Sequence, residues 1–309
     1  MIVPTAIVTA GIISTAIISA AIVSTPAEFV FMTRIKAATT SPSAIEISVL
    51  VPVMNEAGNI RPLVEEISAA LAGRSFEIIY VDDASTDDSP AELAACAADI
   101  PELRVLRHQT RAGQSAAIRS ALLAARGKLI GVLDGDGQNV PADLPALEAA
   151  LLAETARTGG VGMAAGIRAR RQDSPMRLLA SRAARWIRRS LLADTHPDSG
   201  CGIKILHRSL FLQLPFFNHM HRFMPSLVRR HNGVVVGVEV AHRPRLRGSS
   251  KYRILDRLVV GISDIVGVIW LLRRAPRQGE VTEITVGRNT VSKAGKTTGR
   301  TASKRGAGA

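Results

Sequence analysis

The chain has 309 residues, a formal net charge of +13, 47% hydrophobic residues and only 4% aromatic ones. That length buries a full core in one or two domains, and the charge favours anionic partners such as nucleic acid, an acidic membrane surface or phosphorylated substrates. The two cysteines, Cys96 and Cys201, lack metal-site spacing, so neither a cysteine-built metal centre nor an oxidising compartment is required.

Residues 2–31 carry one charged side chain, Glu28, among Ile, Val, Thr, Ala and Ser. The stretch is long enough to span a bilayer, but it has no basic residues before it, and Thr and Ser dilute its apolarity. It reads as a weak membrane anchor, as a disordered leader, or as an upstream extension with the working start at Met32; the last two are favoured together. Residues 33–44 form a small polar linker, so 1–45 is set apart from the folded part. A buried-type strand is expected over 47–53. The turn Asn55-Glu56-Ala57-Gly58-Asn59 follows, with Asn59 capping a helix over 60–71. A second strand, 76–81, ends in Asp82-Asp83. Ser89-Pro90 offers a cap and a proline at the first helical position, opening a helix to about Ala98. A short strand over 103–106, a small-residue helix over 113–125 and a strand over 129–133 complete the first half.

Strands and helices alternating at this spacing predict an α/β fold: a mostly parallel, doubly wound sheet with helices on both faces. Right-handed crossovers put the carboxyl ends of such strands on one rim, where ligands bind. Glu56, Asp82, Asp83, Asp134 and Asp136 all lie just past strand ends. The strand over 129–133 delivers Asp134-Gly135-Asp136-Gly137-Gln138, two carboxylates one residue apart with an amide behind them. Carboxylates this close repel and need a cation. Their hard oxygens suit Mg²⁺ or Mn²⁺, which keep open positions for substrate phosphates. The competing reading is a polar turn after a buried strand, and Asp82 and Asp83 can likewise be turn caps.

The second half is more basic. A helix over 142–155 and a strand over 161–166 lead to a helix from Ser174-Pro175 through Leu192. It carries Arg177, Arg182, Arg185, Arg188 and Arg189, a run that can form a solvated face or meet anionic lipid headgroups. The tight turn Asp198-Ser199-Gly200-Cys201-Gly202 precedes a strand over 203–206. A helix around 222–231 and a strand over 234–240 follow. His219 and His221 diverge on a helix, so His221-Arg222-Phe223 lines a pocket or packs. The basic loop His242 to Tyr252 leads to an apolar helix over 253–275. Its Asp256 and Asp264 make it a poor membrane span and a better interfacial amphipathic helix, with plain core packing as the alternative. Residues 276–309 form a basic tail, expected to be disordered.

Together these segments resemble the family 2 glycosyltransferases of the GT-A nucleotide-diphospho-sugar transferase fold, and above all the dolichyl- and undecaprenyl-phosphate sugar transferases. The likeness rests on Val51 to Glu56, Val81 to Asp87, Asp134 to Gln138, Asp198-Ser199-Gly200 and Arg243 to Lys251, and covers roughly 47–272, with the catalytic domain at 46–252. It implies that Pro52, Asn55, Glu56, Asp82 and Asp83 hold the nucleotide. It further implies that Asp134, Asp136 and Gln138 hold the metal and diphosphate. Arg245 and Lys251 would reach the donor phosphates, and Arg168 and Arg182, with Ser250 nearby, would meet the acceptor phosphate. Gly137 is a departure, since many relatives carry a larger residue there.

The implied reaction is an inverting transfer of a sugar from a nucleotide donor to a polyprenyl phosphate with Mg²⁺ or Mn²⁺, at the cytoplasmic face of the inner or plasma membrane, peripheral or weakly anchored on anionic lipid. A phosphate acceptor, with its second pKa near about 6, is largely ionised at neutral pH and has little need of a base; if one acts, Asp136 or Asp198 is the candidate. A hydroxyl acceptor on the same fold is the nearest alternative. A nucleic-acid-binding protein is a further one, disfavoured by the scarcity of aromatic side chains for base stacking.

Overall fold

The structure is a computed structural model and describes residues 45–168, 192, 196–244 and 254–274. The leader, the arginine-bearing helix around Arg182, the loop holding Arg245, Ser250 and Lys251, and the C-terminal tail lie outside the described residues. The first half alternates strand and helix as the apolar runs predict: β1 (Ile47–Val53), α1 (Ile60–Ala70), β2 (Phe76–Asp82), α2 (Ser89–Asp99), β3 (Leu103–Arg107), α3 (Gln114–Ala124) and β4 (Leu129–Val132). A short 3-10 turn, Pro141–Asp143, leads into α4 (Leu144–Thr158) and β5 (Gly162–Arg168). The chain returns through β6 (Lys204–His207), α5 (Arg208–Gln213), a 3-10 turn at Met220–Arg222, α6 (Met224–Arg230), β7 (Val234–Val240) and α7 (Ile254–Arg273).

The strands form one sheet of seven in the order β3-β2-β1-β4-β6-β5-β7. β1 pairs in parallel with β2 and β4, β2 with β3, and β5 with β7. β6 alone runs against its neighbours β4 and β5. The strand alternation divides the core in two. Val49, Val51 and Tyr80 face the helices α1, α2 and α4. Leu50, Ile79 and Val81 face α3, α5 and α6, and Val268 of α7 packs there too. Each of these sheet side chains is 0% exposed, and full burial of such a residue is worth about 2 kcal/mol. Helices thus cover both faces, and the described part of α7 closes one of them.

Local rules fail at two helix starts. Asn59 stands at the N-cap of α1 but makes no side-chain cap bond; its amide nitrogen donates instead to Glu56 Oε2 at 2.9 Å. The Arg61 amide at the start of α1 is taken by Glu92 Oε1 of α2 at 2.9 Å. α2 has Asp88 at its N-cap position, one residue before Ser89, with no side-chain cap bond; Ser89 Oγ instead accepts the Glu56 amide. α4 begins after the 3-10 turn, with Pro141 and Pro145 each in an opening turn, where a missing amide donor is tolerated.

Candidate active site

The carboxyl ends of β1 and β2 are stitched together amide by amide. The backbone N–H groups of Asn55, Glu56 and Ala57 donate to Ser85 Oγ (2.9 Å), Ser89 Oγ (2.9 Å) and Asp87 Oδ2 (3.2 Å), and that of Gly58 donates to Glu92 Oε2 (2.5 Å). Asn55 sits at φ 57°, a left-handed conformation that asparagine tolerates better than most residues, and its Oδ1 accepts the Thr86 amide at 2.8 Å. The predicted nucleotide residues Asn55 and Glu56 are therefore fixed by the loop after β2. Pro52 pairs with Val81 inside the sheet. Gly135 passes so close to the Pro52 carbonyl and the Val53 side chain that a Cβ there would collide with them.

Asp82 and Asp83 are buried, 1% and 4% exposed, and both hold turns. Asp82 Oδ1 accepts the Ser85 amide at 2.9 Å, and its Oδ2 lies 3.1 Å from Arg107 Nε. Asp83 accepts the Ala112 and Gly113 amides, each at 2.8 Å. Its Oδ1 also meets His108 Nδ1 at 2.8 Å, while His108 Nε2 meets Ser120 Oγ at 2.9 Å. The turn-capping alternative is thus realised at both positions, and Asp83 fixes the entry to α3.

That entry joins the two acidic motifs. Gln114, the residue after Gly113, donates through Nε2 to Asp134 Oδ1 at 2.8 Å. The Asp134 carboxyl is pushed up, first by burial and then by the charge of Asp136, with Lys204, Gln114 and Arg168 opposing. Such a pair is stabilised by a divalent cation. Asp136 Oδ1 accepts the Gln138 amide at 3.1 Å, closing a tight loop through Gly137 at φ 71°. Gln138 Nε2 is turned to the Arg243 carbonyl at 3.5 Å. Among the described residues, no cluster of three or more His, Cys, Asp and Glu could hold a metal. Two carboxylates that leave the remaining positions to a diphosphate fit Mg²⁺ or Mn²⁺, which prefer that arrangement.

A cavity of about 230 Å³ opens beside Asp134, lined among others by Gln114, Ser199, Lys204, His221 and Arg222. Gly202 is required here, because a Cβ would strike the Asp134 carboxylate and the Asn139 amide. Lys204 is 4% exposed. Its Nζ donates to the Cys201 carbonyl, and burial pulls its pKa down. His221 Nδ1 meets Ser115 Oγ at 2.8 Å. Arg168 ends β5 rather than following it, and grips Asp198 with two 2.6 Å bonds, Nε to Oδ2 and NH2 to Oδ1. Asp198, proposed from the sequence as a candidate base, is 7% exposed and has both carboxylate oxygens engaged by the Arg168 guanidinium. These bonds hold the Arg168 guanidinium in place.

Sequence reasoning missed Gln114, Lys204 and the partner of Arg243. Lys204 had a visible signal, a lone charge inside the apolar run 203–206. The Arg243 guanidinium forms a fork with Glu66 of α1, at 2.9 and 2.8 Å, across 177 residues of chain.

Residues 48–214 match the family model described as Glycosyl transferase family 2. The chain is 32% identical over 254 residues to the dodecaprenyl-phosphate galacturonate synthase of Rhizobium johnstonii, an alignment covering 79% of this chain and 72% of that protein. It is 33% identical over 213 residues to the undecaprenyl-phosphate 4-deoxy-4-formamido-L-arabinose transferase of Pectobacterium carotovorum subsp. carotovorum, covering 68% of this chain and 63% of that one. The match therefore spans less than two thirds of the second relative's length. Among solved structures, glucosyl-3-phosphoglycerate synthase from Mycobacterium tuberculosis, in complex with Mn²⁺, UDP-glucose and glycerol 3-phosphate, shares the fold: TM-score 0.56, 20% identity, 76% of this chain and 82% of that one.

Proposed function

The chain belongs to glycosyl transferase family 2, and on that premise we propose that it transfers a sugar from a nucleoside-diphosphate sugar to the phosphate of a polyprenyl lipid, with inversion at the anomeric carbon. The observation that carries this reading is the meeting of Asp134 with cationic Lys204 and Arg222 around one cavity at the carboxyl rim of the sheet. The relatives, named for transfer to polyprenyl phosphates, supply the acceptor class.

Asp134 and Asp136, with Gln138 beside them, would hold a divalent cation, Mg²⁺ or Mn²⁺, that neutralises the departing diphosphate as a Lewis acid. Gln114 orients Asp134 through its 2.8 Å bond. Asn55, Glu56 and the loop after β2 form the nucleotide edge, with Asp82 and Asp83 shaping it from beneath. Arg168, aligned by Asp198, and Arg222 present guanidinium groups whose planar forks suit a phosphate. Arg182 and Ser250 for the acceptor, and Arg245 and Lys251 for the donor phosphates, complete the assignment. An ionised phosphate nucleophile needs no base, which accords with the engagement of Asp198 by Arg168. A hydroxyl acceptor is disfavoured on the same ground.

We also assign the protein to the cytoplasmic face of the inner membrane as a peripheral enzyme. No helix among the described residues is long and apolar enough to cross a membrane. α7 leaves Val266 and Trp270 outward, 62% and 59% exposed, next to Arg273 and Arg274, a pattern suited to an anionic lipid surface.

The deciding experiment incubates the protein with radiolabelled nucleotide sugars, Mn²⁺ and a short polyprenyl phosphate. Label is expected in the organic phase with the phosphate and not with the matching polyprenol. Transfer to the alcohol, or salt-sensitive DNA binding without any transfer, overturns the assignment.

A further inference from the structure

We propose that Arg243 and Glu66 form a clamp that fixes the Asp134–Gln138 loop for metal binding, making Arg243 a positioning residue of the site; this rests on the reading of that loop as the metal loop. Arg243 reaches the loop through both its backbone and its side chain. Its amide donates to the Gln138 carbonyl at 3.1 Å, its Nε donates to the Gly137 carbonyl, and its own carbonyl accepts Gln138 Nε2 at 3.5 Å. The outer edge of the guanidinium is taken by both oxygens of Glu66, at 2.9 and 2.8 Å. All three hydrogen-bonding nitrogens of the planar group are thereby oriented, which a lysine cannot reproduce.

The surrounding contacts point the same way. Asn139, 4% exposed, forms an antiparallel bridge with His242, and the Ala241 amide donates to Asp143 Oδ2 at 2.9 Å. The end of β7 is thus laid along the metal loop from Gly137 to Asp143. The loop needs such support. Gly135 and Gly137 give it little intrinsic stiffness, and Asp134 and Asp136 repel each other before a cation arrives. Glu66 sits on α1, whose core face is fixed by Ile60, Leu63, Val64 and Ile67, so the clamp ties a soft loop to a rigid element. Groups that orient metal ligands in this way contribute substantially to metal affinity.

The test compares Arg243→Met and Glu66→Gln with the unchanged protein. The Arg243 and Glu66 side chains are 28% and 36% exposed, so both variants are expected to melt as the parent does. Mn²⁺ affinity in the presence of UDP, titrated by electron paramagnetic resonance, is expected to fall about ten- to a hundredfold in Arg243→Met and less in Glu66→Gln. In the metal-free protein, hydrogen exchange of the amides at 137–140 is expected to quicken in both variants while that of β1 stays unchanged. The acceptor KM is expected to hold. Unchanged Mn²⁺ affinity in Arg243→Met overturns the clamp whatever the exchange shows, as does exchange that quickens equally throughout β1. Asp136→Asn is the separate control. If it retains Mn²⁺ affinity, the reading of the loop fails; if it loses affinity and Arg243→Met does not, only the clamp fails.

Discussion

His221 lines the cavity with Nδ1 on Ser115 Oγ, and its pKa is pushed down to about 3, mainly by burial and further by the charges of Arg222, Lys204 and His219. The imidazole is therefore neutral at any working pH and serves as a fixed hydrogen-bonding wall. The sign of the stability effect follows. Unfolded, the ring takes a proton near about pH 6.5; folded, it resists until about 3. As pH falls between these values the unfolded state is favoured by up to about 1.4 kcal/mol per unit, and above the upper value the contribution is constant. His221→Gln is expected to lose stability less steeply than the parent from about pH 6 to pH 4, read by urea unfolding at a series of pH values. Parallel curves would show that His221 is not the group responsible. At this scale the sequence exposes the carboxylates because they stand alone at strand ends. It hides Lys204's contact with the Cys201 carbonyl and the Arg168–Asp198 grip, which depend on how β6 and the turn before it are laid against β4 and β5.

α1 illustrates an element whose start is secured from outside itself. Its N-cap residue, Asn59, contributes no cap bond; Glu92 of α2 accepts the Arg61 and Gly58 amides instead. Glu92→Ala leaves those donors unpaired at the point where the 55–59 turn enters the helix. A loss of about 1–2 kcal/mol is expected, the usual worth of a cap, with a raised KM for the nucleotide sugar and no change in acceptor KM. Urea unfolding and steady-state kinetics read the two effects separately. The position of α1 was legible from its apolar spacing, and so were the parallel strands, because buried runs of Ile and Val bounded by Gly, Pro and Asn mark them. The cap was not, since one helix borrowing from another leaves no mark in the local pattern. Nor was the reversal of β6, because an apolar run carries no direction.

Over the described residues, the mostly parallel sheet with helices on both faces follows the alternating pattern read from the chain, and the family match agrees with it. What the pattern could not supply was the cross-linking between its loops. Asp83, Gly113, Gln114 and Asp134 form one connected run, and Arg243 ties the 134–138 loop to α1. α7 belongs to this scale because it both packs on the core through Val268 and turns Trp270 outward. Arg274 lies 5.2 Å over the Trp270 ring, so charge and aromatic surface are presented together. Trp270→Ser is expected to weaken binding to vesicles containing anionic lipid by about tenfold, the order for withdrawing one large side chain from an interface, with the melting temperature unchanged. Sedimentation with vesicles checks this; unaltered sedimentation would remove α7 from the lipid contact.

The turns carrying Gly73 and Gly159 lie at the opposite edge of the sheet from the acidic loops. Both glycines have left-handed backbones, at φ 78° and 69°, and a side chain added at either would meet nothing within 4 Å. These turns are therefore natural attachment points. A reporter peptide spliced between Thr158 and Gly160 would ride on the enzyme without entering the chemistry, allowing its residence on a lipid film to be watched during turnover.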